Sequence, residues 1–162
     1  MISRPRPLAP LLLLPLLLLL TLSALLPAPA RAQMGDAGKN EEPAFKEFKG
    51  VSIGMPMEEA RKKLGDPTDK GDTQDFYVFS DEETAQIFYD AGKKVSAVAV
   101  VYTGGANVPT ARAIFGKEVA AKPDGSQYLR VLYPKVNYWV SYSRTAGDTP
   151  VTSITMQSQR KQ

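Results

Sequence analysis

Six short runs rich in aromatic and β-branched residues, in two sets of three, constrain this 162-residue chain more than any other feature. Phe76-Tyr77-Val78-Phe79, Ala85-Gln86-Ile87-Phe88-Tyr89 and Val95 to Tyr102 form the first set. Tyr128 to Tyr133, Tyr138 to Ser143 and Val151 to Met156 form the second. Runs of this length and composition read as strands. The links between them, such as Asp81-Glu82-Glu83 and Asp90-Ala91-Gly92-Lys93, are hairpin-sized, so consecutive strands are expected to pair antiparallel.

A short helix is expected ahead of each set. Pro56 suits a first helical turn, where its missing N–H costs nothing. Glu58 and Glu59 follow at the positive end of the helix dipole, and Arg61, Lys62 and Lys63 lie near the negative end. Met57, Ala60 and Leu64 share one apolar face, Gly65 suits the position after the last turn, and Pro67 prevents resumption. Val108-Pro109-Thr110 opens a second helix, whose Ala111, Ile114 and Phe115 face a core before Gly116. Leu64-Gly65 maps onto Phe115-Gly116 at an offset of 51 residues. The expected fold class is therefore α+β: two helix–β-meander repeats, about residues 50–103 and 107–158, forming antiparallel sheet with helices packed on one face.

Ahead of this domain lies a different kind of sequence. Arg4 and Arg6 precede Leu8 to Leu26, which is nearly pure leucine, and Pro27, Pro29 and Ala30-Arg31-Ala32 end it. This pattern is that of a secretory signal peptide over residues 1–32, cleaved near Ala32, with the product in the periplasm or outside the cell. A retained anchor is the competing reading, since 19 helical residues reach about 28 Å, just enough to span a bilayer. The prolines and the Ala-x-Ala end favour cleavage. No cysteine follows the apolar stretch, so no lipid anchor is expected. Residues 33–44 read as a mobile polar leader, residues 45–158 as the folded domain, and Arg160-Lys161-Gln162 as a polar tail.

The expected cleavage also decides the charge argument. The chain has 20 Lys+Arg and 17 Asp+Glu, and Arg4, Arg6 and Arg31 all lie in the signal, leaving seventeen of each sign. Nucleic-acid binding needs a basic surplus, and an anionic membrane surface needs the same, so neither partner is expected. Histidine and cysteine are both absent. That excludes disulfides, Cys/His zinc sites and Ser–His or Cys–His nucleophiles. No metal and no cofactor are expected. Asp66, Asp69, Asp72 and Asp75 recur every third residue and carry oxygen ligands of the kind Ca²⁺ takes, but the spacing is not that of an EF-hand and Lys70 sits among them. A solvated acidic loop is the expectation. Gly104-Gly105 ends a strand and cradles no phosphate.

The stretch Gly50-Val51-Ser52-Ile53-Gly54-Met55-Pro56-Met57-Glu58-Glu59-Ala60, with Leu64-Gly65-Asp66-Pro67, resembles a known signature. It is similar to the Gly-Met-(Ser/Thr/Pro)-x-x-Glu-(Val/Ala) … Leu-Gly-x-Pro motif of the SmpA/OmlA (BamE-like) exported domains and the related β-lactamase-inhibitor-protein-like fold. Ile87-Phe88-Tyr89-Asp90-Ala91-Gly92-Lys93-Lys94-Val95 resembles their strand–Asp-x-Gly-Lys-Val–strand segment. The resemblance covers about residues 45–102. It implies a domain that binds proteins or envelope components, with Gly54, Met55, Leu64, Gly65 and Pro67 as structural positions. Unlike the outer-membrane lipoproteins of that class, this chain has no cysteine to lipidate.

Candidate partner-binding residues are the aromatics Tyr128, Tyr133, Tyr138, Trp139 and Tyr142 and the hairpin-tip acids Glu82 and Glu83. Alternation puts Tyr138, Val140 and Tyr142 on one sheet face and Trp139, Ser141 and Ser143 on the other. One face has to pack, so core burial is the competing reading for the rings; for the acids and for Lys93-Lys94 it is a solvated turn. The expected function is a non-catalytic exported binding module engaging an envelope or extracellular protein. The alternatives are a small-ligand or lipid carrier with an aromatic-lined pocket, and a hydrolase built on two buried carboxylates.

Overall fold

The computed structural model describes residues 34–37, 41–104 and 107–159. The expected signal peptide and its cleavage point lie outside the described residues, as do Gln33, Gly105 and the Arg160–Gln162 tail. Among the described residues, eight strands form one sheet. They are β1 (Met34–Asp36), β2 (Asp69–Lys70), β3 (Gln74–Val78), β4 (Glu83–Tyr89), β5 (Val95–Thr103), β6 (Gln127–Tyr133), β7 (Tyr138–Arg144) and β8 (Val151–Ser158). The spatial order is β1-β6-β7-β8-β5-β4-β3-β2. Seven strands run antiparallel to their neighbours, and β1 joins β6 in parallel. The six long strands fall on the six aromatic and β-branched runs. The two meanders are joined where β5 pairs with β8, with Val100 opposite Ile154.

The expected architecture of two helix–meander repeats with helices packed over a sheet face is overturned. The described residues contain two helices, α1 (Met57–Leu64) and α2 (Ala111–Phe115), of eight and five residues. Dimensions explain the correction. Eight strands about 4.8 Å apart make a sheet roughly 34 Å wide, whereas α1 is about 12 Å long. Among the residues of α1 only Ala60 is buried. Thr110 caps α2 by accepting the Ala113 N–H at 3.2 Å, and Gly116, at φ 72°, ends it one turn later. The inner face of the sheet is covered mainly by its own large side chains and by Phe48, Val51 and Val119 from the connecting segments, with Ala60 of α1 and Ala111, Ile114 and Phe115 of α2 adding to the same core.

The strand pattern sets that inner face. Tyr77, Ala85, Ile87, Val98, Val100, Val131, Val140, Tyr142, Ile154 and Met156 alternate inwards and are buried together. Fully burying an aliphatic side chain of this kind contributes about 1.5–3 kcal/mol, and with no cysteine the core carries the fold. The motif around α1 ties helix to sheet. Gly54, at φ +86°, donates its N–H to the Val95 carbonyl, and Val95 returns a bond to Met55, both at 2.8 Å. Gly65, at φ +84°, closes the helix on the Arg61 carbonyl at 2.8 Å. Both φ values lie where a side chain is strained.

The expected mobile leader over 33–44 is corrected where it is described. Met34–Asp36 pairs with Arg130–Leu132, and Ala37 donates its N–H to the Leu132 carbonyl at 3.0 Å. Further along, Glu42 bridges Lys46 at 3.1 Å and Lys135 of the β6–β7 hairpin at 2.6 Å. Those two ammonium partners hold the Glu42 carboxyl down at about 2. An otherwise open strand edge supplies the reason: β6 offers unpaired backbone groups that the preceding chain satisfies. No helix among the described residues is long and apolar enough to cross a membrane.

Candidate functional site: the outer sheet face

Alternation leaves a second face whose side chains do not belong to the core. The registers place them in three rows across the sheet. One row reads Leu132, Trp139, Gln157, Ala97, Phe88. The next reads Arg130, Ser141, Thr155, Ala99, Gln86, and the third Tyr128, Ser143, Ser153, Val101, Thr84. Its middle lane, on β5 and β8, is alanine, valine, serine, threonine and glutamine. Larger groups stand to either side, and both helices send their buried residues into the core on the opposite face.

On the β6–β7 side, Arg130 lies over the Trp139 ring, with its guanidinium carbon 4.1 Å from the ring centroid. The two are diagonal neighbours on adjacent strands, within reach of long side chains. A guanidinium stacked on indole contributes about 0.5–1 kcal/mol at an exposed site and restrains both side chains. Tyr128 and Leu132 flank the pair on the same strand face, each half-buried.

The structure divides the expected aromatic site. Tyr133, Tyr138 and Tyr142 are 2%, 7% and 1% exposed and belong to the core, so they are withdrawn as partner contacts. Tyr128 and Trp139 remain on the outer face. Burial pushes the Tyr133 hydroxyl up to about 12, with Glu41 adding to the effect. Glu82 and Glu83 sit at the β3–β4 hairpin, away from these rings. Glu83 pairs with Lys49 at 3.3 Å, and the Lys49 ammonium lies 4.7 Å from the Phe79 ring centroid. A cleft of about 180 Å³ beside them is lined by Ser80, Tyr102 and Thr103 as well. Burial raises the Tyr102 hydroxyl to about 12, and the Glu83 charge adds to it.

The four regularly spaced aspartates diverge. Asp69 lies exposed in β2, Asp72 pairs with Lys93 at 3.2 Å, and Asp75 is fully buried. Among the described residues, no three His, Cys, Asp or Glu gather as metal ligands. Asp75 is the residue the sequence reading missed. Its Oδ2 accepts from Arg61 Nε at 2.8 Å and from the Tyr89 hydroxyl at 2.7 Å. Its Oδ1 accepts from Arg61 Nη2 at 2.9 Å and the Gly71 N–H at 3.1 Å. Nη2 also donates to the Gly71 carbonyl at 2.8 Å. Burial pushes the Asp75 carboxyl up, but the donors outweigh it and hold the group below the usual carboxylate range. Such a carboxylate, shut from solvent with both oxygens engaged, is built to pin α1 to β3 and β4. A signal existed: Asp75 stands two residues before Tyr77, on the inward parity of β3.

No family model matches the chain, and no curated protein matches it. Among solved structures, it is similar to a DUF4309 family protein (YjgB) from Bacillus subtilis subsp. subtilis str. 168. The two are 13% identical, with a TM-score of 0.43, over 69% of this chain and 84% of that chain.

Proposed function

We propose that the chain is an exported, non-catalytic binding module that engages an envelope or extracellular protein through the β6–β7 part of its outer sheet face. The observation that carries this reading is the Arg130–Trp139 stack, flanked by Tyr128 and Leu132, on a face outside the core. Tryptophan, tyrosine and arginine are the side chains that most often dominate protein interfaces, and they do so when pre-ordered by neighbours. The signal-like N-terminus and the BamE-like motif support an envelope or extracellular setting.

Affinity purification of the tagged full chain from an envelope extract tests the proposal. One protein is expected to co-purify. Trp139→Ala and Arg130→Ala are each expected to weaken its capture about tenfold or more, while changing stability by no more than about 1 kcal/mol. Recovery of a lipid or small molecule without a protein would overturn the reading. So would capture unaffected by both substitutions.

A further inference from the structure

We propose that a cleft at the β4–β5–β8 end of the outer face binds a neutral saccharide. Two adjoining hollows, of about 320 and 370 Å³, share Tyr89, Ser96 and Gln157 as lining. Each lies within the size range of small-ligand sites.

Two sequence features make the hollow. Phe88 pairs with Ala97 and Tyr89 with Val95, so Ser96 is an extra residue in β5, a β-bulge that bends the strand and re-aims its side chains. Beside the bulge, Ala97 stands between Phe88 and Gln157 in one cross-strand row. A methyl group thus forms a floor between two taller walls.

The lining selects the ligand class. The hydroxyls of Ser96, Thr155 and Ser158 and the amides of Gln157 and Gln159 both donate and accept hydrogen bonds, as sugar hydroxyls do. Among the described residues, no lysine or arginine lines either hollow. These described side chains offer a phosphate, sulfate or carboxylate ligand no cation. Among the described residues, Asp90 is the one charged residue in the lining. Its Oδ1 accepts the Lys94 N–H at 2.9 Å, which fixes the carboxylate and leaves Oδ2 to accept from a ligand hydroxyl. Phe88 lies outside the core and supplies an apolar ring against which the C–H face of a sugar can stack. The Tyr89 hydroxyl is turned away to Asp75. The hollow adjoins the Arg130–Trp139 patch, since Gln157 stands opposite Trp139, but neither Arg130 nor Trp139 lines it.

Titration calorimetry on the full chain with cellohexaose, maltohexaose, xylohexaose and chitohexaose, and with hexagalacturonate as the anionic control, tests the assignment. Saturable binding of at least one neutral hexasaccharide is expected, at least tenfold tighter than hexagalacturonate. Phe88→Ala and Gln157→Ala should each weaken it tenfold or more with the melting temperature retained, and Arg130→Ala should leave it unchanged. Gln157→Ala, a surface change, keeps the test decisive should Phe88→Ala disturb the fold. The proposal is overturned if none of the four neutral sugars binds at millimolar concentration, if hexagalacturonate binds best, or if the Gln157 variant binds as wild type.

Discussion

Replacing Asp75 with alanine is expected to destabilise the fold by about 3–5 kcal/mol, the cost of breaking one side of a buried ion pair. For a domain of this size that lowers the melting temperature by roughly 10–20 °C. The carboxylate is 0% exposed and receives four donors. Its removal takes the buried carboxylate from the Arg61 guanidinium, whose side chain is only 13% exposed, and leaves it the exposed Glu58 at 3.2 Å and the Gly71 carbonyl at 2.8 Å. It also leaves the Tyr89 hydroxyl without its acceptor, next to the buried Tyr77 hydroxyl. The nearby Asp75 charge adds to burial in raising Tyr77 to about 12. Replacing both ends with apolar groups removes the under-compensated charge, so Arg61→Met with Asp75→Leu is expected to cost less than Asp75→Ala alone. Urea denaturation of the three proteins checks this ordering.

The same carboxylate gives a pH dependence. Its folded pKa lies below the ordinary value of 3.8. The group therefore stabilises the fold at pH above that value, and the contribution is lost as pH falls from about 4 towards the depressed folded pKa. The wild-type protein is expected to lose stability across this interval more steeply than Asp75→Ala, which lacks the group. Parallel pH dependences of the two would show that Asp75 carries no such linkage.

Tyr142→Ala is expected to cost about 3–5 kcal/mol, the range for emptying a large buried aromatic site. Tyr142 is 1% exposed and lies between Leu129 of β6 and Ile154 of β8 on the inner face. Trp139 is the larger side chain, three residues earlier on the same strand, yet Trp139→Ala should cost only about 1 kcal/mol because its ring faces outwards. Thermal melts of the two variants side by side measure which sheet face holds the core. Equal losses would mean that both faces are packed.

Strand positions and their faces were legible because both follow from local pattern. Alternation along Tyr138–Ser143 separates Tyr138, Val140 and Tyr142 from Trp139 and Ser141 with no knowledge of neighbouring strands. The ends of α1 were legible too, since Pro56 and Gly65 act within one turn. What lay beyond reach depends on contacts distant in sequence. The joining of the meanders through β5 and β8 is such a contact, as is the parallel addition of Met34–Asp36 to β6. The helical layer was overestimated because end signals mark where a helix starts and stops but not how much sheet it covers. Asp75 was grouped by spacing with three solvated aspartates, whereas its inward parity and an arginine 14 residues away decide its role. The aromatic cluster was treated as one site, and the sheet divides it between core and surface.

Photo-cross-linking from the outer face tests most directly whether that surface meets a protein. With p-benzoylphenylalanine introduced at Tyr128 or Leu132 of the full chain, expressed in its own host, both positions should yield an adduct to the same single protein. The exposed position Glu47, outside the three outer-face rows, should yield none. No adduct from either outer-face position, or adducts of equal strength from all three, would contradict the account.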